Sequence, residues 1–146
     1  MPEDELDELY QDILLDHYQH PRNCGHFDES EASGEGENPL CGDQIYVLVE
    51  VNGNKIENLK WHGRGCIISQ SSASMMGELI PGRTIEEALK LSNQVILMLR
   101  GEKYDIPEDY MEDLESLKGV IKFPVRVKCA TLAWNTVIDA LQKNKN

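Results

Sequence analysis

Polar and apolar positions along this chain change period several times, and each change marks an element. In DELDELYQDILLDHYQHPRN, Leu6, Leu9, Tyr10, Ile13 and Leu14 recur at the spacing of one helix face, and Pro21 stops the pattern. The stretch SEASGEGENP reads as a loop with room for one short strand. The period then becomes two: Ile45, Val47, Val49 and Val51 alternate with Tyr46, Leu48 and Glu50. Asn52-Gly53-Asn54 supplies a turn, and Ile56 to His62 return as an antiparallel partner.

Helical spacing resumes after GRGC. Small polar residues with Met75, Met76 and Leu79 predict a helix from about Ile67 to Leu79, closed by Pro81-Gly82. Thr84 and Glu87 have capping-box spacing for the next helix, whose face carries Ile85, Ala88, Leu89, Ser92, Ile96 and Leu99 before Gly101. Residues 102–117 are acidic and irregular, with at most a short helix around Tyr110 to Leu117. After Pro124 the stripe Ala130, Ala133, Trp134, Val137, Ile138 and Leu141 predicts the last helix. Strands followed by helices, without strand-helix-strand alternation, indicate one α+β domain over residues 1–146: a small antiparallel three-stranded sheet packed against about five helices.

Charge narrows the partners. A net charge of −12 in 146 residues repels phosphate backbones and anionic lipid, which argues against nucleic acid and membrane and for a basic protein patch. The acidic start MPEDELDELY is unlike a secretory signal, and no apolar run approaches the ~18 residues of a membrane span. A cytoplasmic protein is expected, where the four cysteines, Cys24, Cys41, Cys66 and Cys129, would remain reduced.

Three of those cysteines fall at the ends of predicted elements. Cys41 shares the turn NPLCGDQI with Asp43, Cys66 precedes a helix, and Cys129 is expected at the start of the last one. Helix N-termini favour thiolates. Three thiolates and a carboxylate suffice for a tetrahedral zinc site or an iron-sulfur cluster, and the harder oxygen donor makes such a site more exchangeable than four sulfurs. A free cysteine is also among the most buried residue types, so spacing alone leaves simple core filling open. Lys118, Lys122, Arg126 and Lys128, with no acid between them, are expected to lower the cost of a thiolate at Cys129. His17, His20, His26 and His62 have no cysteine beside them, Cys24 has neither an acid nor a helix start nearby, and Met75, Met76, Trp61 and Trp134 read as packing.

Taken in order, LYQDILLDHYQHPRN, GEGENPLCGDQI, GCIISQSSASMM, GRTIEEALKL and VKCATLAW resemble the IscU/SufU family of iron-sulfur cluster assembly proteins, which shares a NifU-like N-terminal domain. The resemblance runs from about Leu9 to Leu141. It implies a site built from Cys41, Asp43, Cys66 and Cys129. Lys128 stands where the IscU branch has a histidine, FPVRVK replaces its chaperone-docking LPPVK, and an acidic insertion spans about 102–122. These departures resemble the SufU branch.

That branch implies a zinc-dependent sulfurtransferase taking persulfide sulfur from a SufS-type cysteine desulfurase. Cys41, Asp43, Cys66 and Cys129 would hold Zn²⁺, with Cys129 released as nucleophile and Arg126 meeting the partner or assisting ligand exchange. Downstream assembly proteins or apo-protein clients would receive the sulfur. The alternative is a scaffold for a [2Fe-2S] cluster on the same residues, and a third reading is a purely structural zinc domain.

Overall fold

In the computed structural model, which describes residues 2–25, 32–39 and 41–145, the chain is α+β. Helix α1 spans Pro2–Gln19, strands β1 to β3 span Ala32–Asn38, Asp43–Asn52 and Lys55–Arg64, and helices α2 and α3 span Ile67–Leu79 and Ile85–Leu99. Helix α4 (Glu108–Leu114) runs into a 3-10 segment, Glu115–Lys122, and helix α5 (Pro124–Lys145) ends the fold. The sheet is antiparallel in the order β1-β2-β3.

The period-two pattern of β2 has the expected consequence. Ile45, Val47, Val49 and Val51 are buried, while Tyr46, Leu48 and Glu50 are half-buried on the opposite face. Outside, Tyr46 stacks on its cross-strand partner His62, with centroids 4.8 Å apart. Inside, α5 lies across β1 and β2, with α2 and α3 packed against α5. Gly53, at φ 64°, takes the left-handed position of the tight turn joining β2 to β3.

Strand β1 is a full seven-residue strand in the stretch read as mainly loop. Its ASGEGEN sequence lacks apolar alternation because glycine does the packing. Side chains at Gly34 or Gly36 would run into Thr136 of α5. Bare backbone lets helix and strand approach, and ladder bonds to β2 supply the rest.

The helical expectations hold with two adjustments. Thr84 and Glu87 form the capping box, with Glu87 N–H donating to Thr84 Oγ1 at 3.1 Å and Thr84 N–H to Glu87 Oε1 at 2.9 Å. On α3, however, Leu91, Val95 and Met98 join the buried face while Leu89 is only half-buried, because both α5 and the 3-10 segment cover this helix. The acidic segment is more helical than its composition indicates, since Leu114, Leu117 and Val120 are buried in the core. On α1, Leu14 is buried and Ile13 packs on the core, whereas the side chains of Leu6, Leu9 and Tyr10 lie outside the described residues.

Trp61, Met75, Met76 and Trp134 are fully buried. Trp134 Nε1 donates to Ser72 Oγ at 2.9 Å, and Ser72 Oγ donates to Ala130 O at 2.6 Å, tying α2 to α5. Among the described residues, no helix is long and apolar enough to cross a membrane.

Because β1 depends on close approach to α5, Gly36→Val should lower the unfolding free energy by about 1–3 kcal/mol through overpacking. Urea denaturation followed by circular dichroism measures it; an unchanged midpoint would show that β1 and α5 can part without cost.

Candidate metal centre

Asp43 is the first residue of β2 and shares the inward register of Ile45, Val47, Val49 and Val51, so the alternation that builds the core also buries its carboxylate, to 1% exposure. A carboxylate so placed must be satisfied locally. Its Oδ1 accepts the Cys66 backbone N–H at 2.9 Å and the Ser69 hydroxyl at 3.1 Å. Gly65 makes this possible, because a Cβ there would strike Asp43 Oδ1 and Ser69 Oγ.

Cys41 sits in the turn between β1 and β2, which its N–H closes on Asn38 O at 3.2 Å, with Gly42 next at φ 71°. Cys66 is the N-cap of α2, its sulfur accepting Ser69 N–H at 3.4 Å, so the expected helix start is there. Cys129 differs from expectation. Helix α5 begins at Pro124, which places Cys129 more than one turn inside, where the macrodipole has faded.

Cys129 is also fully buried. Its S–H donates to Cys41 Sγ at 3.2 Å, and Asn38 Nδ2 donates to its sulfur at 3.5 Å. Burial foremost, then contacts with Cys41, Asp43 and Cys66, push its pKa well above the usual thiol range. Lys118, Lys122, Arg126 and Lys128 are not among those causes. Lys118 pairs with Glu115 at 3.1 Å, while Lys122, Arg126 and Lys128 are exposed. The expected cationic activation of Cys129 is therefore replaced by desolvation.

Donor atoms of Cys41, Asp43 and Cys129 lie within 4.8 Å of one another. Cys66 stands beside this trio rather than within it. Three sulfurs and an oxygen suit zinc's borderline softness. A tetrahedral zinc with bonds of ~2.3 Å would separate its sulfurs by about 3.8 Å, so the Cys41 and Cys129 sulfurs need move apart by only about half an ångström.

The other candidates are placed elsewhere. Buried His17 hydrogen-bonds Ser74 Oγ at 2.7 Å and Asp113 Oδ2 at 2.6 Å, and with Glu78 and Asp113 forms a second carboxylate-histidine group. That group joins α1, α2 and α4 and holds no cysteine. His20 and Cys24 are exposed, and His26 lies outside the described residues. Sequence reasoning missed Asn38 and Ser69 as contacts of Asp43. Their small polar side chains flank the cysteine motifs, but only folding shows what they touch.

Beside Cys66 opens a groove of about 770 Å³ between α1, the start of α2 and the 3-10 segment. Leu15, Tyr18, Ile67 and Phe123, four of the exposed large apolar side chains, line it, as does Arg126, its one charged lining residue. Such clustered exposure marks an interaction face.

Residues 9–145 match the family described as NifU-like N terminal domain. The chain is 42% identical over 140 residues to the zinc-dependent sulfurtransferase SufU of Bacillus subtilis, covering 96% of this chain and 94% of that protein. Identity to the iron-sulfur cluster assembly scaffold protein IscU of Streptococcus pyogenes is 38% over 141 residues, covering 97% and 87%. A crystal structure from Fervidobacterium islandicum, described as a candidate iron-sulfur cluster assembly scaffold protein for the SUF system, superposes with a TM-score of 0.82 at 32% identity, covering 88% and 93%.

The raised Cys129 pKa fixes the sign of a pH effect in metal-free protein. The unfolded chain loses this proton near the ordinary thiol value of about 8.5, while the native state retains it. Stability is therefore fully present below that pH and falls above it, by up to about 1.4 kcal/mol per pH unit. Urea titrations between pH 8 and 10 should show this slope, and Cys129→Ala should reduce it; equal slopes would mean that Cys129 ionises freely in the fold.

Proposed function

Because the chain belongs to the NifU-like N-terminal domain family, that of the iron-sulfur cluster assembly proteins SufU and IscU, we propose that it is a zinc-dependent sulfur acceptor serving a SufS-type cysteine desulfurase. The observation carrying this reading is the convergence of Cys41, Asp43 and Cys129 within 4.8 Å, with Cys66 capping α2 alongside. Cys41, Asp43, Cys66 and Cys129 would hold the ion. Bound zinc keeps thiols deprotonated at neutral pH and, having no redox change, does not oxidise them.

Exposure and capping together select the accepting thiol. Cys41 and Cys66 are both half-buried and Cys129 is fully buried; because the Cys66 sulfur is engaged in capping α2, Cys41 is favoured as the sulfur that a partner reaches. Cys66, Asp43 and Cys129 then remain as ligands. The freed Cys41 thiolate attacks the outer sulfur of the desulfurase persulfide: a new sulfur–sulfur bond forms on Cys41, the partner's sulfur–sulfur bond breaks, and its cysteine departs as thiolate. No electrons are added or removed overall. The groove beside Cys66 would seat the desulfurase, with Leu15, Tyr18, Ile67 and Phe123 covered and Arg126 meeting a carboxylate. The acquired sulfur would pass to downstream assembly proteins or apo-protein clients.

The expected result is about one zinc per chain in protein purified without added metal, and stimulation of desulfurase turnover. Cys41→Ala should keep most of its zinc, three ligands and water sufficing, yet lose stimulation by about 100-fold. Cys129→Ala should lose the zinc. Full stimulation by Cys41→Ala would overturn the assignment, and a stable [2Fe-2S] cluster formed on anaerobic reconstitution and transferred to an apo-ferredoxin would favour the scaffold.

The docking face has its own test. Phe123→Ser or Ile67→Ser should raise the half-saturating concentration in the desulfurase assay about tenfold, equivalent to about 1.4 kcal/mol of lost contact, with zinc content unchanged. Unaltered half-saturation would place the partner elsewhere.

A further inference from the structure

Asn38 closes β1 opposite Asp43, its partner in the ladder, and is 6% exposed. It contacts three of the four candidate ligands in two different ways. Its backbone carbonyl accepts the Cys41 N–H at 3.2 Å, a contact that shapes the turn and leaves the Cys41 sulfur untouched. Its side-chain amide has two N–H donors, and Nδ2 lies 3.4 Å from Asp43 Oδ2 and 3.5 Å from Cys129 Sγ. The amide thus addresses the two buried donors, Asp43 and Cys129, and neither of the half-buried sulfurs, of which Cys66 is held as the cap of α2 and Cys41 is not.

Asp43 shows why this contact matters. Oδ1 is held by Cys66 N–H and the Ser69 hydroxyl, whereas Oδ2 accepts from the Asn38 amide and the carboxyl also contacts the Cys129 thiol. Oδ2 is therefore the oxygen available to a metal, and Asn38 is the side chain that aims it. A carboxylate on sulfur-preferring zinc is the weakest member of the donor set, so without orientation it would be the first to leave.

We infer that Asn38 is a positioning residue that keeps Asp43 and Cys129 directed at the metal, so that the ligand surrendered on exchange is Cys41. This rests on the zinc-site reading above and adds what decides the order in which ligands leave. Neighbours of this kind, hydrogen-bonded to metal ligands, typically carry 10–100-fold in metal affinity.

The test uses full-length protein loaded with one zinc and an excess of a chromophoric chelator, and needs no desulfurase. Asn38→Ala should release zinc at least about tenfold faster than wild type. Asn38→Asp, which keeps the shape and the backbone contact but replaces the amide donor with a like charge beside Asp43, should do the same. In the cobalt-substituted proteins the ligand-field absorption of both variants should depart from wild type, a signature that lost stability alone would not produce. Asn23→Gly removes a different amide contact, Nδ2 to Gly77 O at 2.7 Å, and should leave release and spectrum unchanged.

Wild-type release rates and spectra in both folded Asn38 variants would overturn the inference, and so would loss of fold in both with zinc present, which would make Asn38 a folding residue. Failure of wild type itself to retain zinc would instead overturn the metal-site reading, and this inference with it.

Discussion

A carboxylate buried at the first position of an inward-facing strand is the constraint around which this molecule is arranged. Asp43 cannot be turned outward without turning Ile45, Val47, Val49 and Val51 outward with it, because side chains on a strand alternate with period two. Its charge must therefore be met inside. The N-terminus of α2 meets it through Cys66 N–H and Ser69, a close approach that only a residue without a side chain at position 65 permits. The same approach brings Cys66 beside Cys41, Asp43 and Cys129, so satisfying the acid and gathering the candidate ligands are one structural event.

Depth within the site is uneven, and chemistry follows from it. Cys129 lies inside α5 under Asn38 and Cys41, with burial opposing its ionisation, whereas Cys41 stands half-buried in a turn. A fully buried sulfur makes a durable ligand and a poor nucleophile; a half-buried one is easier for a partner to reach. The site proposed above, which would hold a metal and give up one ligand, would draw on both kinds, and the strand-turn-strand and helix bring them together from different directions.

The acidic segment after α3 has a structural place as well. Its apolar residues Leu114, Leu117 and Val120 join the core, and Asp113 reaches buried His17, which also contacts Ser74. This links α4 to α1 and α2 through a buried, hydrogen-bonded histidine, where an unmade bond would be costly. Held in this way, Ser116, Gly119 and Val120 form one wall of the groove beside Cys66.

Much of this was legible in the linear chain. Period and capping chemistry are local properties, so α2 from Ile67 to Leu79, the Thr84–Glu87 box and the alternation of β2 followed from neighbours a few residues apart. The donor types, three thiols and an acid, were legible too. Strand β1 was largely hidden, because Gly34 and Gly36 pack by having no side chain and thus leave no apolar signal. The depth of Cys129, the exposure of the neighbouring cations and the contacts of Asn38 were decided only by tertiary structure. Exposure and electrostatic environment depend on which distant segments cover a residue, and sequence order does not carry that distance.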